Sequence, residues 1–173
     1  QACAVSGVAV VMVDISEAAV QKGLATIAGS LDRLIKKEKI TAADKDKALA
    51  LIQTSTNYDD LQAAQLVIEA ATENYDLKVK ILKQLDATLP ADVLIATNTS
   101  SISITKLGAV TQRADKFIGM HFFNPVPMMA LVEIIRGLQT SDATHDTVKA
   151  LSEKLGKSPI TVKNAPGFVV NRI

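Results

Sequence analysis

Residues 8–14 read VAVVMVD, a short apolar run that ends on the carboxylate of Asp14. A run of this length and composition is typical of a strand buried within a sheet. Ser16 and Glu17 follow directly, and both favour the first positions of a helix. Apolar residues then recur at helical spacing, at Val20, Leu24, Ile27, Leu31 and Leu34. The pattern predicts a strand that leads into a long helix, as in a β-α-β unit.

The same alternation of apolar runs and amphipathic stretches continues along the chain. Thr41 and Asp44 begin a second helix, so residues 19–51 are predicted to form a helical hairpin. We therefore predict an α/β protein with a Rossmann-like, mostly parallel sheet flanked by helices and a helical-hairpin appendage. The further predicted strands are 52–54, 66–70, 93–97, 117–121, 131–135 and 160–162, and the further predicted helices are 76–89, 104–110 and 142–155.

The composition excludes several classes of protein. Of 173 residues, 48% are apolar and 21% are charged, and a formal net charge of +1 offers no basic surface for nucleic acid. No apolar run reaches the roughly 18 residues that a membrane span requires. Cys3 is the single cysteine, so no intrachain disulfide is possible and we expect a reducing, cytoplasmic compartment. We expect one hydrophobic core, no metal site and no membrane partner.

Asp14 is a candidate cofactor residue. An acid at the end of the second strand of a Rossmann fold binds the ribose hydroxyls of adenosine. Ile15 and Ser16 follow where an Arg would receive a 2′-phosphate, which favours NAD over NADP. The alternative interpretation is that Asp14 only caps the helix that follows.

The glycine-rich turn G-x-G-x-x-G, which binds the pyrophosphate, is expected roughly 20 residues before that acid. This position lies upstream of Gln1, and the eight glycines of the chain form no such motif. Residues 1–7 (QACAVSG) are interpreted as the end of the helix that follows the turn, with Gly7 as its cap. We therefore expect the first β-α unit to be missing, and NAD binding by these residues alone to be weak.

The two histidines of the chain lie in different settings. His121 ends a predicted strand, and ligands bind at the carboxyl ends of strands in open α/β sheets. Its alternative role is in packing or capping. His145 lies in the first turns of a polar helix beside Asp142, Thr144 and Asp146, and we expect it to be a solvated surface residue.

Glu133 lies at the centre of the apolar segment LVEII (131–135), on a predicted strand. Burial of this carboxylate is costly unless a cation or a donor lies nearby. If the two strands are neighbours, His121 can donate one ring proton to Glu133, which makes its other nitrogen a better base. The alternative is that Glu133 points to solvent from an edge strand.

Four motifs, in this order along the chain, resemble the short-chain 3-hydroxyacyl-CoA dehydrogenases, among them the bacterial 3-hydroxybutyryl-CoA enzymes. The motifs are NTSS (98–101), GMHFFNPVP (119–127), LVEII (131–135) and PGFVVNR (166–172). The resemblance implies an NAD-dependent oxidoreductase of fatty acid or butanoate metabolism that interconverts 3-hydroxyacyl-CoA and 3-oxoacyl-CoA.

The resemblance also implies roles for particular residues. His121 and Glu133 would form the acid-base pair, and Ser100 and Asn171 would bind the oxygens of the substrate. Ser100 has an alternative role as the N-cap of a helix, and Asn171 as the start of the next helix. The residues that the resemblance places around NAD are Asp14, Ala70, Glu73, Lys78, Asn98, Ser100 and Asn124.

Glu73 and Lys78 are implied to lie near the ribose and the nicotinamide. Their alternatives are an ordinary acid at a helix start and a surface lysine. Ser30 and Lys37 resemble the CoA contacts of the family, and a lysine there suits a phosphate. The lysines within 36–39 are otherwise a solvated helix end.

By the same resemblance, residues 1–163 form an incomplete NAD-binding and catalytic domain, and residues 164–173 begin a C-terminal helical domain. In the family that domain makes the homodimer and closes the active-site cleft, so we expect truncation at both ends. Two alternatives stay open: an NAD-dependent dehydrogenase of a non-CoA hydroxyacid, and an inactive fragment that acts only as a binding module.

Overall fold

A computed structural model of the chain describes residues 1–165 and Phe168. The chain divides into two compact units, Gln1–Leu61 and Gln62–Ile173. The seven strands in residues 1–165 form a two-stranded sheet, which belongs to the first unit, and a five-stranded sheet, which belongs to the second.

The first unit contains the predicted helical hairpin and a parallel pair of strands. Strands β1 and β2 pair in parallel, with Val10 opposite Ile52. Ala4, Leu31 and Ala48 are buried together and join the three helices. The elements are α1 (Ala2–Val5), β1 (Val10–Val13), α2 (Glu17–Lys36), α3 (Ala42–Ala50), β2 (Ile52–Ser55) and a 3-10 helix (Tyr58–Leu61).

Side-chain caps fix where the two long helices of this unit begin. The Ser16 hydroxyl accepts a hydrogen bond from the backbone N–H of Ala19 at 3.1 Å and so caps α2. The alternative in which Asp14 caps this helix is therefore wrong, and its carboxylate instead accepts from Ile15 N at 2.7 Å. Thr41 and Asp44 cap α3 reciprocally, at 3.1 and 2.9 Å.

The second unit is built on a five-stranded sheet with the strand order β3-β4-β5-β6-β7. All neighbours run parallel except β5 and β6, which are antiparallel. The strands are β3 (Leu66–Glu69), β4 (Leu94–Thr97), β5 (Phe117–Phe122), β6 (Leu131–Arg136) and β7 (Ser158–Lys163). The helices are α4 (Tyr75–Thr88), α5 (Ile104–Gly108), a 3-10 helix (Ala114–Lys116) and α6 (Asp142–Lys154).

The predicted Rossmann-like, mostly parallel arrangement is confirmed, and two details differ. The strands divide between two sheets, whereas the sequence pattern suggested one sheet that gains a strand with each unit. The antiparallel pairing of β5 with β6 was also not predicted. Residues 123–130 join these two strands, and a connection so short suits antiparallel strands, since a parallel crossover needs a dozen or more residues.

The core of the second unit lies between the sheet and its helices. Ile118, Met120 and Ile134 have no exposed surface. Gly119 lets α5 approach β5 closely, because a Cβ there would lie 2.9 Å from side-chain carbons of Ile104 and Ile135. None of the helices described in residues 1–165 combines the length and the apolar character needed to cross a membrane.

Candidate active site

The carboxyl ends of β3, β4 and β5 lie at the same edge of the five-stranded sheet, because these strands are parallel neighbours. Polar side chains occur where each strand ends. Glu69 ends β3, Thr97 ends β4, and His121 is the last but one residue of β5. Ligands of open α/β sheets bind at this edge.

His121 and Glu133 are directly opposite each other in the antiparallel pair β5–β6. His121 Nδ1 lies 3.1 Å from Glu133 Oε1. A carboxylate only accepts hydrogen bonds, so Nδ1 carries a proton, and in the neutral ring Nε2 then keeps its lone pair. Glu133 has no exposed surface, and β6 lies between β5 and β7. The alternative in which Glu133 points to solvent from an edge strand is therefore wrong.

Aromatic rings hold the imidazole of His121. The Phe123 ring centroid lies 4.4 Å from that of His121, and the Phe168 ring centroid lies 6.1 Å away in an edge-on arrangement. His121 keeps only 6% of its surface exposed. The ring is thus oriented by one hydrogen bond and two aromatic contacts.

Asn98 connects the end of β4 to the residues around His121. Its backbone N–H donates to Glu69 O at 2.9 Å, and its side-chain Oδ1 accepts from Phe122 N at 2.8 Å. The side chain of Asn98 therefore fixes the backbone directly after His121.

A buried ion pair lies beside this edge of the sheet. Lys78 Nζ donates to Glu69 Oε2 at 2.5 Å, and both side chains are 1% exposed. Thr97 Oγ1 donates to the same oxygen at 2.8 Å, and Ala71 N donates to the other at 2.9 Å. The alternative of a surface lysine at position 78 is therefore wrong. Sequence reasoning missed Glu69 and Thr97, although Glu69 ends the apolar run LVIE (66–69).

Glu73 binds the loop that follows β4. Its carboxylate accepts from Thr99 Oγ1 at 2.9 Å and from the backbone N–H of Ser100 at 3.2 Å. Glu73 is thus more than an ordinary acid at the start of α4, since it orders the segment that carries Ser100. Ser103 caps α5, so the alternative in which Ser100 is that cap is wrong.

Four of the residues assigned to the cofactor by resemblance line one small cleft. The cleft has a volume of about 170 Å³ and lies where β3 and β4 end. Its lining residues are Ala70, Ala71, Thr72, Glu73, Lys78 and Asn98. The second unit therefore brings together Ala70, Glu73, Lys78 and Asn98.

The other described candidates are not among the residues that line this cleft. Asp14, Ser30 and Lys37 belong to the first unit. Asp14 and Lys37 are exposed, and Ser30 Oγ accepts from Gln1 Nε2 at 2.9 Å. Asn124 is exposed in the segment after β5. Asn171 and most of the motif at 166–172 lie outside the described residues.

His145 is less solvated than predicted, because its side chain is 13% exposed and both of its ring nitrogens have partners at the surface. Its Nδ1 lies 2.9 Å from Asp146 Oδ1, and its Nε2 lies 2.6 Å from Thr161 Oγ1 on β7. The pattern of α6 alone gave no sign that β7 lies beside this histidine.

A mostly parallel sheet with polar side chains at its strand ends is the arrangement of nucleotide-binding α/β domains. Residues 1–165 match the family described as "3-hydroxyacyl-CoA dehydrogenase, NAD binding domain". The chain belongs to this family, which confirms the resemblance seen in its motifs.

Similar proteins include enzymes of known name. The chain is 48% identical over 158 residues to a 3-hydroxybutyryl-CoA dehydrogenase of Clostridioides difficile, covering 91% of this chain and 56% of that protein. It is 46% identical over 170 residues to a 3-hydroxybutyryl-CoA dehydrogenase of Bradyrhizobium diazoefficiens, and the match covers 98% of this chain and 58% of that protein. The crystal structure of (S)-3-hydroxybutyryl-CoA dehydrogenase from Ralstonia eutropha is similar, with a TM-score of 0.98 and 76% sequence identity. The match covers 100% of this chain and 61% of that chain. The chain thus spans less than two thirds of each of these relatives.

Proposed function

We propose that the protein catalyses the NAD-dependent interconversion of a 3-hydroxyacyl-CoA and a 3-oxoacyl-CoA, with His121 and Glu133 as the acid-base pair. One observation carries the proposal: a buried carboxylate is hydrogen-bonded to a histidine at the ligand-binding edge of a sheet. Family membership supports it, and relatives named for 3-hydroxybutyryl-CoA point to a short acyl chain.

In the oxidation direction, Nε2 of His121 removes the proton from the 3-hydroxyl group of the substrate. NAD, held by Ala70, Glu73, Lys78 and Asn98, would supply the acceptor for the hydride of C3. Glu133 accepts the hydrogen bond from Nδ1 throughout, and its negative charge stabilises the imidazolium that forms. In the reduction direction the imidazolium returns its proton to the oxygen at C3.

The cleft, about 170 Å³ in volume, suits one part of a dinucleotide. Its wall is made by small side chains at Ala70 and Ala71, by polar groups at Glu73 and Asn98, and by the buried ammonium of Lys78. We assign Ala70, Glu73, Lys78 and Asn98 to NAD, together with Ser100. The exposed carboxylate of Asp14 would bind the ribose hydroxyls, and Asn124 would contact the cofactor from the segment after β5.

The remaining residues are assigned to the acyl-CoA substrate. Ser100 and Asn171 would donate hydrogen bonds to substrate oxygens, which polarises the carbonyl group during reduction. Ser30 and Lys37 lie on and directly after α2, and Lys37 is an exposed cation suited to a CoA phosphate.

We also propose that the active form is a cytoplasmic homodimer. The single cysteine, Cys3, is consistent with a reducing compartment. The dimer is inferred from family membership.

The test is a spectrophotometric assay of acetoacetyl-CoA reduction by NADH. We expect loss of NADH absorbance with acetoacetyl-CoA, and much slower loss with NADPH or with free acetoacetate. Equal rates with acetoacetate would favour a dehydrogenase of non-CoA hydroxyacids. No turnover by the folded protein with either substrate would favour a binding module.

A further inference from the structure

Residues 123–130, here called the 123–130 loop, join the strand of His121 to the strand of Glu133. The loop begins with Phe123, whose ring packs on the imidazole at 4.4 Å. The position of the loop therefore affects the position of the acid-base pair.

Lys157, the residue before β7, holds this loop from the same end of the sheet, because β6 and β7 are parallel and Leu131 is opposite Ser158. Its Nζ donates to the backbone oxygens of Val126 and Met129, at 2.6 and 2.8 Å. The next residue, Ser158, donates from its backbone N–H to Ala130 O at 2.8 Å. Three backbone oxygens of the loop are thus bound by two consecutive residues.

The end of α6 directs Lys157 toward the loop. Gly156 has a φ of +72°, and Lys157 N then donates back to Ser152 O at 3.0 Å. This is the Schellman arrangement, in which a glycine in the left-handed region ends a helix and turns the chain away from its axis. The sequence therefore fixes the backbone from which the lysine side chain extends.

The ammonium group suits this task because it offers three donors and no acceptor. Within residues 1–165 Lys157 forms no ion pair, so the dipoles of the two carbonyl groups stabilise its positive charge. Burial lowers the pKa of Lys157, which shows that this placement disfavours the charged form. The hydrogen bond to Met129 O is exposed to solvent, so water can satisfy that carbonyl without the lysine. Lys157 is thus better suited to fixing loop geometry than to satisfying acceptors.

We propose that Lys157 is a positioning residue for the His121–Glu133 pair, acting through the 123–130 loop and Phe123. The expected change in kcat rests on the proposed function, because it requires that the protein reduces acetoacetyl-CoA. Lys157 itself touches neither the pair nor the proposed cofactor cleft.

The experiment compares Lys157→Met, which keeps the length of the side chain, with the matched control Lys154→Met from the exposed end of α6. For Lys157→Met we expect kcat for acetoacetyl-CoA reduction to fall by about tenfold to a hundredfold, since a small misplacement of a catalytic group has this effect. Lys157→Arg keeps a cation with several donors and should restore most of kcat. Lys154→Met should match the wild type.

A second measurement does not depend on turnover. The chain has two histidines, so their imidazole NMR resonances can be assigned with a His145→Gln variant. Lys157→Met should shift the resonances of His121 and leave those of His145 in place. If Lys157→Met does not fold, Lys157→Gln, which is shorter and neutral, takes its place in both measurements.

A folded variant with a lower Tm but with wild-type kcat and unchanged His121 resonances would make Lys157 merely structural and overturn the inference. If the wild type does not reduce acetoacetyl-CoA, the proposed function fails. The NMR comparison would then still decide whether Lys157 positions His121.

Discussion

Glu133 has no exposed surface, yet it carries a group that water solvates strongly. Its burial is tolerable because the imidazole of His121 donates to it at 3.1 Å. Loss of a donor at position 121 would therefore act on folding as well as on chemistry. The informative substitution at position 121 is one that keeps a donor and removes the base.

His121→Gln meets this condition, because the amide can donate to Glu133 and cannot take up a proton at neutral pH. We expect kcat for acetoacetyl-CoA reduction to fall by about a hundredfold to ten-thousandfold, which is the usual contribution of a positioned acid or base. NADH affinity, measured by calorimetric titration, should barely change, because His121 is not among the residues that line the cleft.

The matched control is His145→Gln, which changes the other histidine and should leave kcat unaltered. Glu133→Gln provides the complementary case, since it removes the charge that supports the imidazolium and keeps an acceptor for Nδ1. A Glu133→Gln protein with wild-type turnover would rule out the acid-base pair.

Lys37 is exposed, so its effect on binding should be modest. We expect Lys37→Ala to raise KM for acetoacetyl-CoA by about twofold to fivefold, as for an exposed charge pair worth under 1 kcal/mol. KM for a truncated acetoacetyl thioester without the nucleotide should stay constant. Lys22→Ala, an exposed lysine near the start of α2, is the control. Equal changes for both substrates would place Lys37 on a solvated face.

Single residues differ in how well their sequence context reveals them. Glu133 has apolar neighbours on both sides, which predicts burial and hence a partner. Glu69 ends its apolar run and is followed by Ala70, so the same pattern fits a solvated strand end. Its burial depends on Lys78, which reaches it from α4, and on Thr97 of the next strand. Contacts between separate elements leave no periodic signal in the sequence.

The ends of helices are predicted well where a capping side chain or a glycine marks them. Ser16 and Thr41 accept hydrogen bonds from the first turns of α2 and α3, as their residue types predict. Gly7 and Gly156 have φ values of +81° and +72°, which is why glycine signals both helix ends. The 3-10 helices at Tyr58–Leu61 and Ala114–Lys116 were missed, because so short a segment shows no period.

The capping box of α3 makes that helix sensitive to acid. The backbone N–H of Thr41 donates to the carboxylate of Asp44, and this hydrogen bond, followed by that with the Thr41 side chain, lowers the pKa of Asp44. A lowered pKa in the folded state stabilises the helix above the ordinary value of about 3.9. The stabilisation is lost as the pH falls through the lowered pKa.

We therefore expect the first turn of α3 to open more often below about pH 4. Hydrogen exchange of the backbone amides of Thr41, Asp44 and Lys45, corrected for the intrinsic pH dependence of exchange, measures this opening. Asp44→Asn keeps an acceptor and removes the titrating group, so its corrected exchange should not depend on pH in this range. Corrected protection that is constant below pH 4 in the wild type would contradict the expectation.

For the whole molecule, strand content was easier to predict than strand order. Alternating β and α patterns predicted a mostly parallel sheet, and that is confirmed. The division into sheets of two and five strands depends on which strands pair, and apolar runs of similar composition do not specify their neighbours. The antiparallel turn between β5 and β6 matters most, because it is what places Glu133 opposite His121.

The proposed function assigns the ribose-binding carboxylate of Asp14 to the first unit and the catalytic base His121 to the second. Asp14→Ala removes the carboxylate proposed for the ribose hydroxyls. Charged hydrogen bonds contribute about 1.5–3 kcal/mol, so the Kd for NADH should rise about tenfold to a hundredfold. At saturating NADH, kcat should stay near the wild-type value.

The double variant Asp14→Ala, His121→Gln extends this test to the molecule as a whole. Asp14 binds its own neighbour Ile15 and His121 binds Glu133, so the two residues share no hydrogen-bond partner within residues 1–165. We expect their losses in kcat/KM for NADH to multiply, to within about twofold. Glu17→Ala, an exposed acid in the first turn of α2, is the control for a general loss of negative charge near Asp14. If Asp14→Ala leaves NADH affinity unchanged, or lowers it no more than Glu17→Ala does, Asp14 does not hold the ribose and the assignment of the first unit to the cofactor fails.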